Sequence, residues 1–219
     1  MMKRILPFLL AALFLAACSA GGGRLRTGDL IFVGIPADYS LDEGSMDGAI
    51  SAATGGEQPL NLIHVAIAEV EDGRTWIIDA TIKHGVDRHP LDTFLRDFTL
   101  RDGSLPVFEV KRLKDTRLAW LSVDNAKRFL GLPYDNAFLP ENEALYCSEL
   151  VYVSYRQKDG KPIFTSAPMN FKNADGEFPA YWQQLFRRLG QPIPQDVPGT
   201  NPQAMAAEPV LRPVNVTIP

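Results

Sequence analysis

The chain has 219 residues, 46% hydrophobic and 22% charged, with 26 acidic against 22 basic side chains and a formal net charge of −4. That composition is globular, and the length suffices for one core of ordinary size, so a single folded domain is expected. An acidic chain without a Lys/Arg cluster lacks the electrostatic footprint of a nucleic-acid binder, which excludes that class of partner.

The first element is MMKRILPFLLAALFLAACSA. Lys3 and Arg4 form a basic start, and residues 5–17 are apolar but too short for a stable bilayer span. Small residues follow, as in a secretory signal. The run LAAC at 15–18 resembles the lipobox of bacterial lipoproteins. Residues 1–17 are therefore expected to be a signal peptide removed ahead of a lipidated Cys18, with 18–24 as linker. Acyl chains, at about 0.8 kcal/mol per buried methylene, hold such a protein at a membrane surface. Ser19 resembles the signal for outer-membrane sorting, so the expected location is the cell envelope, facing the periplasm. An ordinary cut after Ala17 or Ala20 is the plainer alternative. No later stretch is long and apolar enough to cross a bilayer. Removing Lys3 and Arg4 leaves 20 basic against 26 acidic residues, a net charge of −6.

A turn at Gly28–Asp29 precedes a predicted strand over 30–33. MDGAISAATGG predicts a short helix over 47–54, stopped by the glycine pair. NLIHVAIAEV and TWIIDATI predict two strands joined at EDGR, the Asp-Gly signal of a hairpin. SLPVFEVKRL predicts another strand. DTRLAWLSVDNAKRFLGLPYD has helical apolar spacing and ends at Gly131 and Pro133. ALYCSELVYVSY predicts a helix beginning near Cys147, and FPAYWQQLFRRLG a late amphipathic helix. Beyond Gly190 the chain is Pro-rich, and 190–219 is expected as an extended arm on a folded part spanning 25–189. The class is α+β, an antiparallel sheet with helices packed on it.

With Cys18 lipidated, Cys147 has no disulfide partner, and an unpaired thiol in an oxidising compartment points to use. Three histidines are available as bases. His64 interrupts an apolar strand on which strict alternation puts Ile63, Val65 and Ile67 on one face and Leu62, His64 and Ala66 on the other. With a two- or four-residue loop, Val70 opposes Thr75 and Ala66 opposes Asp79, placing Asp79 one diagonal step from His64. A three-residue loop would turn it away. His84 and His89, beside Gly85 and Pro90, read as loop residues. No ligand spacing for a metal is present, and no metal or cofactor is expected. The parts suit nucleophilic catalysis. Cys147 is the nucleophile, activated at a helix N-terminus, and His64 is the base, oriented by Asp79. The Cys147 N–H, with Tyr134 or Tyr146, is a candidate oxyanion donor. Glu149, in the first helical turn, reads as a cap or loop anchor.

TGDLIFV, NLIHVAIAEV, WIIDATIKHGV and GLPYDNAF…LYCSELVYVSY, in that order, resemble the permuted papain-like cysteine hydrolases of the YiiX/YebB type, circularly permuted relatives of NlpC-type cell-wall peptidases. The resemblance implies a papain-like antiparallel sheet with the cysteine helix packed against it. It also implies Cys147 as nucleophile, His64 as base, and an acid at Asp79, where relatives more often carry glutamate. The implied activity is amide hydrolysis, on peptidoglycan stem peptides or an N-acyl compound. An acyltransferase on the same site, and a non-catalytic envelope lipoprotein that binds cell-wall peptides or a protein partner, are the alternatives.

Overall fold

The computed structural model describes residues 23–218, apart from 40, 43 and 55–57. The signal segment and Cys18 lie outside the described residues. In chain order the elements are β1 (Asp29–Pro36), α1 (Met46–Thr54), β2 (Leu60–Glu71), β3 (Arg74–Thr81), β4 (Gly85–Pro90), α2 (Leu91–Asp97) and β5 (Val107–Leu113). A 3-10 turn (Thr116–Leu118), α3 (Ala119–Lys127), α4 (Cys147–Ser154), β6 (Ala167–Pro168), α5 (Ala180–Leu189), β7 (Pro198–Gly199), α6 (Pro202–Ala206) and β8 (Leu211–Pro213) follow. Six strands form one antiparallel sheet of order β4-β3-β2-β1-β5-β8, and β6 pairs with β7 in a separate ribbon.

β1 reads DLIFVGIP because it is a central strand covered on both faces, where alternation gives way to a continuous apolar run. Leu30 and Phe32 pack with Val65, Ile67 and Ile78 against Leu150, Val151 and Trp182. Ile31, Val33 and Ile35 pack on the opposite face with Ala66, Ala68, Ile77 and Phe94. The start of β1 is tied to β5 by a buried bidentate pair, with Arg112 Nε 2.5 Å and Nη2 2.7 Å from the two carboxylate oxygens of Asp29. Tyr155, at the end of α4, donates to the Gly28 carbonyl at 3.1 Å and locks that helix to the same corner.

The β2–β3 hairpin turns on two residues, Asp72 and Gly73, at φ 49° and 74° between the paired Glu71 and Arg74. Both central residues are left-handed, as a type I′ turn requires, and Asp-Gly supplies that geometry. The resulting register pairs Val70 with Thr75 and Ile67 with Ile78.

Strict alternation in β2 does not hold. β1 pairs Val33 with His64 but Gly34 with Leu62, leaving Ile63 as an extra residue. This β-bulge flips the strand past it. Leu62 shares a core with Val65 and Ile67, while Ile63 joins Ala66 and Ala68 on the other side.

His89 is corrected as well: it lies in edge strand β4 and is 7% exposed, not in a loop. GVDRHP carries little strand signal, and its Pro90 is tolerated because it ends the strand and begins α2. The segment beyond Gly190 is not an arm. It forms β7, α6 and β8, and β8 pairs Leu211–Pro213 with β5 to extend the sheet. Buried Met205, Ala206 and Leu211 anchor it, apolar positions too widely spaced among prolines to show periodicity.

Candidate active site

Cys147 is the first residue of α4, and Tyr146 precedes it in extended conformation. The Glu149 carboxylate reaches back to accept from the Tyr146 N–H at 3.5 Å, so Glu149 caps the helix rather than facing the thiol. Burial pushes the Glu149 carboxyl up, and the charge of Asp135 adds to it, to about 8; the Tyr146 N–H partly offsets this. Asp135 is itself engaged by the Ala137 and Leu139 N–H groups, both at 2.8 Å. The helix start is thereby fixed from both sides, with the Cys147 sulfur over its positive end.

The bulge at Ile63 sits one residue before His64 and sets the direction of the ring. His64 Nε2 is 2.7 Å from Asp79 Oδ2, and both side chains are buried. Phe98 packs on the imidazole at 4.6 Å between ring centres. Nε2 being engaged, Nδ1 is the nitrogen left for Cys147. Burial alone would lower the His64 pKa. The charge of Cys147, hydrogen bonds to Asp79 and Cys147, and the charge of Asp79 outweigh it and raise the pKa to about 10. The imidazolium is the form of His64 this environment favours. The structure thus brings together Cys147, His64 and Asp79 from α4, β2 and β3.

The two tyrosines part company. Burial, then the negative charge of Cys147, raise the Tyr134 hydroxyl well above the usual phenol range, so it keeps its proton beside the sulfur. Its only partner among the described residues is the Met46 sulfur at 3.8 Å, a weak acceptor that an oxyanion readily displaces. The Tyr146 hydroxyl, by contrast, accepts from the Thr200 N–H at 3.0 Å and lies 3.7 Å from the Met169 sulfur. It anchors the C-terminal segment, while its own O–H, like that of Tyr134, meets only a methionine sulfur. Thr200 Oγ1 also donates to or accepts from Ser148 Oγ at 3.1 Å, a contact no sequence pattern signalled.

His84 stays in a turn away from the site, its Nε2 3.2 Å from Asp97. His89, missed in the sequence, lies behind Asp79, with Nδ1 2.9 Å from Asp87 and 3.9 Å from Asp79 Oδ1. Asp79, Asp87 and His89 are the one group among the described residues whose ligand atoms converge enough for a metal ion. Asp79 Oδ2 and His89 Nδ1 are already engaged by His64 and Asp87, while Asp79 Oδ1 and His89 Nε2 are buried with no partner among the described residues. Asp47, in the first turn of α1, is a further acid that feels the His64 charge; burial pushes its carboxyl up and His64 pulls it down.

A pocket of about 40 Å³ opens over the sulfur, walled by Tyr134, Phe138, Tyr146, Phe171 and Trp182. It shares Ala53, Met169 and Thr200 with a groove of about 580 Å³ that runs between α1 and α6. No charged residue lines either space among the described residues.

Comparison with known proteins agrees with this fold. The model of the permuted papain-like amidase enzyme, YaeF/YiiX, C92 family matches residues 24–215, and that of the prokaryotic membrane lipoprotein lipid attachment site matches residues 2–19. The chain is 26% identical over 210 residues to the uncharacterized protein YiiX of Escherichia coli (strain K12), covering 93% of this chain and 92% of YiiX. A crystal structure described as metalloprotein yiiX from Escherichia coli O157:H7 superposes with a TM-score of 0.67 at 24% identity. It covers 90% of this chain and all of that one.

Proposed function

Since the chain belongs to the permuted papain-like amidase family, we propose that it is a membrane-tethered cysteine amidase whose site is Cys147, His64 and Asp79. The observation that carries this reading is the His64 ring, bonded to Asp79 at 2.7 Å through Nε2 and coupled to Cys147 on its other side. The thiolate attacks the amide carbonyl, and the carbonyl electron pair moves to oxygen. The Cys147 N–H, in a helical first turn that leaves it unpaired, and the Tyr134 hydroxyl receive that oxyanion. His64 gives its proton to the departing amine, leaving a thioester. Water then enters, His64 removes its proton, and the thiol returns as the carboxylic acid leaves. Asp79 fixes the ring and stabilises its charged form throughout.

Cys18 is the lipidated residue of the matched attachment site, and Ser19 supports placement at the outer membrane, facing the periplasm. Cell-wall peptides are one substrate consistent with that address. The uncharged pocket and groove favour a second, an N-acyl amide or acyl transfer from the same thioester, because stem-peptide carboxylates would lie there without a counter-charge.

The test is intact-mass spectrometry after mixing the protein with N-acyl amides and with stem-peptide amides. The reading expects an acyl adduct on Cys147 that decays to free acid and is absent in Cys147→Ala. Transfer to an added amine instead of water marks the acyltransferase. Neither adduct nor product from either substrate set, with Cys147 intact, would overturn it.

A further inference from the structure

The first described residue, Gly23, is pinned where its N–H donates to the Asn215 carbonyl at 2.7 Å. Cys18 lies five residues before it, a reach of at most about 18 Å along an extended chain. A lipid on Cys18 therefore holds whatever surrounds residues 23–28 close to the bilayer.

That surrounding surface has the composition of a membrane interface. Leu25, Arg26 and Thr27 form one wall of a groove of about 410 Å³, and Thr116 of the 3-10 turn with Ala119 and Trp120 of α3 form the other. Close packing fixes the two walls together, since a Cβ on Gly28 would lie 2.6 Å from that of Ala119. Trp120 is 62% exposed and its neighbour Leu121 is 38% exposed, both apolar side chains facing water at the head of a helix. The charged residues lining the groove are Arg26 and Arg112, with no acid. Arg112 is spent on Asp29, whereas exposed Arg24 and Arg26 have no ion-pair partner among the described residues. In a chain that carries −6 after processing, a basic, aromatic patch beside the tether runs against the average surface. Single exposed apolar residues are ordinary. An exposed Trp flanked by unpaired arginines, within tether reach, is the pattern of residues that sit at headgroup depth.

We propose that this face, built from Arg24, Leu25, Arg26, Trp120 and Leu121, docks on the surface of an anionic phospholipid bilayer and sets the orientation of the tethered enzyme. The proposal rests on lipidation at Cys18. Trp120 enters the headgroup–acyl boundary while Arg24 and Arg26 meet lipid phosphates.

The experiment uses the lipidated full-length protein in phosphatidylcholine vesicles with and without phosphatidylglycerol, including brominated lipids that quench nearby tryptophan. Trp182 is buried in the core and Trp76 is covered by Arg88, so Trp120→Phe assigns the signal. The expected result is strong quenching of wild-type emission by brominated lipid, lost in Trp120→Phe and reduced several-fold without phosphatidylglycerol. Protein that floats with the vesicles but shows the same emission with and without bromine would overturn the docking face while leaving the tether intact. Protein that does not float at all would overturn the tether and the docking face together.

Discussion

Asp79→Asn is the most informative single change, because it keeps the shape of the site and removes one charge. Asp79 is fully buried, and its Oδ2 lies 2.7 Å from His64 Nε2. A buried hydrogen bond between charged partners contributes about 1.5–3 kcal/mol. At about 1.4 kcal/mol per tenfold change, losing it shifts the Cys147–His64 pair by roughly one to two pH units. The sign follows from the site: Asp79 is among the groups that raise the His64 pKa, so its loss lowers that pKa. The imidazolium then gives up its proton more readily, and the thiolate forms only at higher pH. The assay is the ultraviolet absorbance of the thiolate against pH, with Cys147→Ala as blank. In Asp79→Asn the thiolate transition is expected to move up by one to two units, and the thiolate fraction below it to fall about 10- to 100-fold. A transition that stays where the wild type has it would refute the reasoning that Asp79 sustains the pair.

Glu149→Gln tests the buried cap. The folded carboxyl is raised to about 8 from an ordinary 4.5, so the fold binds its proton more tightly than the unfolded chain does. Stability tied to this group is present below the unfolded value and is lost as pH rises toward 8. The glutamine variant keeps the acceptor without that loss. It should melt several degrees above the wild type at alkaline pH, about 2 kcal/mol on a chain of this size, and alike in acid. Asp29→Asn leaves Arg112 buried without its partner and is expected to cost about 3–5 kcal/mol in chemical denaturation, with Cys147 reactivity unchanged well below the melting temperature. Ending the chain at Gly190 removes β8 from the sheet and the Thr200 contacts to Tyr146 and Ser148. Loss of cooperative melting is expected, where a dispensable arm would leave the melting curve intact.

Much of the fold was readable because the strongest signals are local. Asp72–Gly73 dictates a two-residue turn, the turn dictates the register, and the register carries Asp79 toward His64. The helix start at Cys147 was legible from apolar spacing, and the capping role of Glu149 from its place in the first turn. What escaped the sequence is non-local. The Ile63 bulge exists because β1 and β2 fall out of step at Gly34, and a one-residue slip between strands leaves no mark in either strand alone. His89 was misplaced because a polar edge strand looks like a loop until its partner is known. The C-terminal segment was misread for a related reason: prolines and polar residues mask three short elements held by contacts across the molecule, among them the Leu62 N–H to Gln203 Oε1 bond at 2.9 Å. Nor does sequence show that the Tyr146 hydroxyl also holds the Thr200 N–H, a second contact the Tyr134 hydroxyl does not make among the described residues.

The central claim is that Cys147 is a nucleophile made by His64, and the alkylation rate of Cys147 against pH tests it most directly. In a soluble form beginning after Cys18, wild-type protein should be labelled rapidly by iodoacetamide well below about pH 8.5, where an ordinary thiol slows. In His64→Ala that acid-side reactivity should disappear. Slow labelling that follows an ordinary thiol and ignores His64 would contradict the account and leave a structural cysteine in a binding protein.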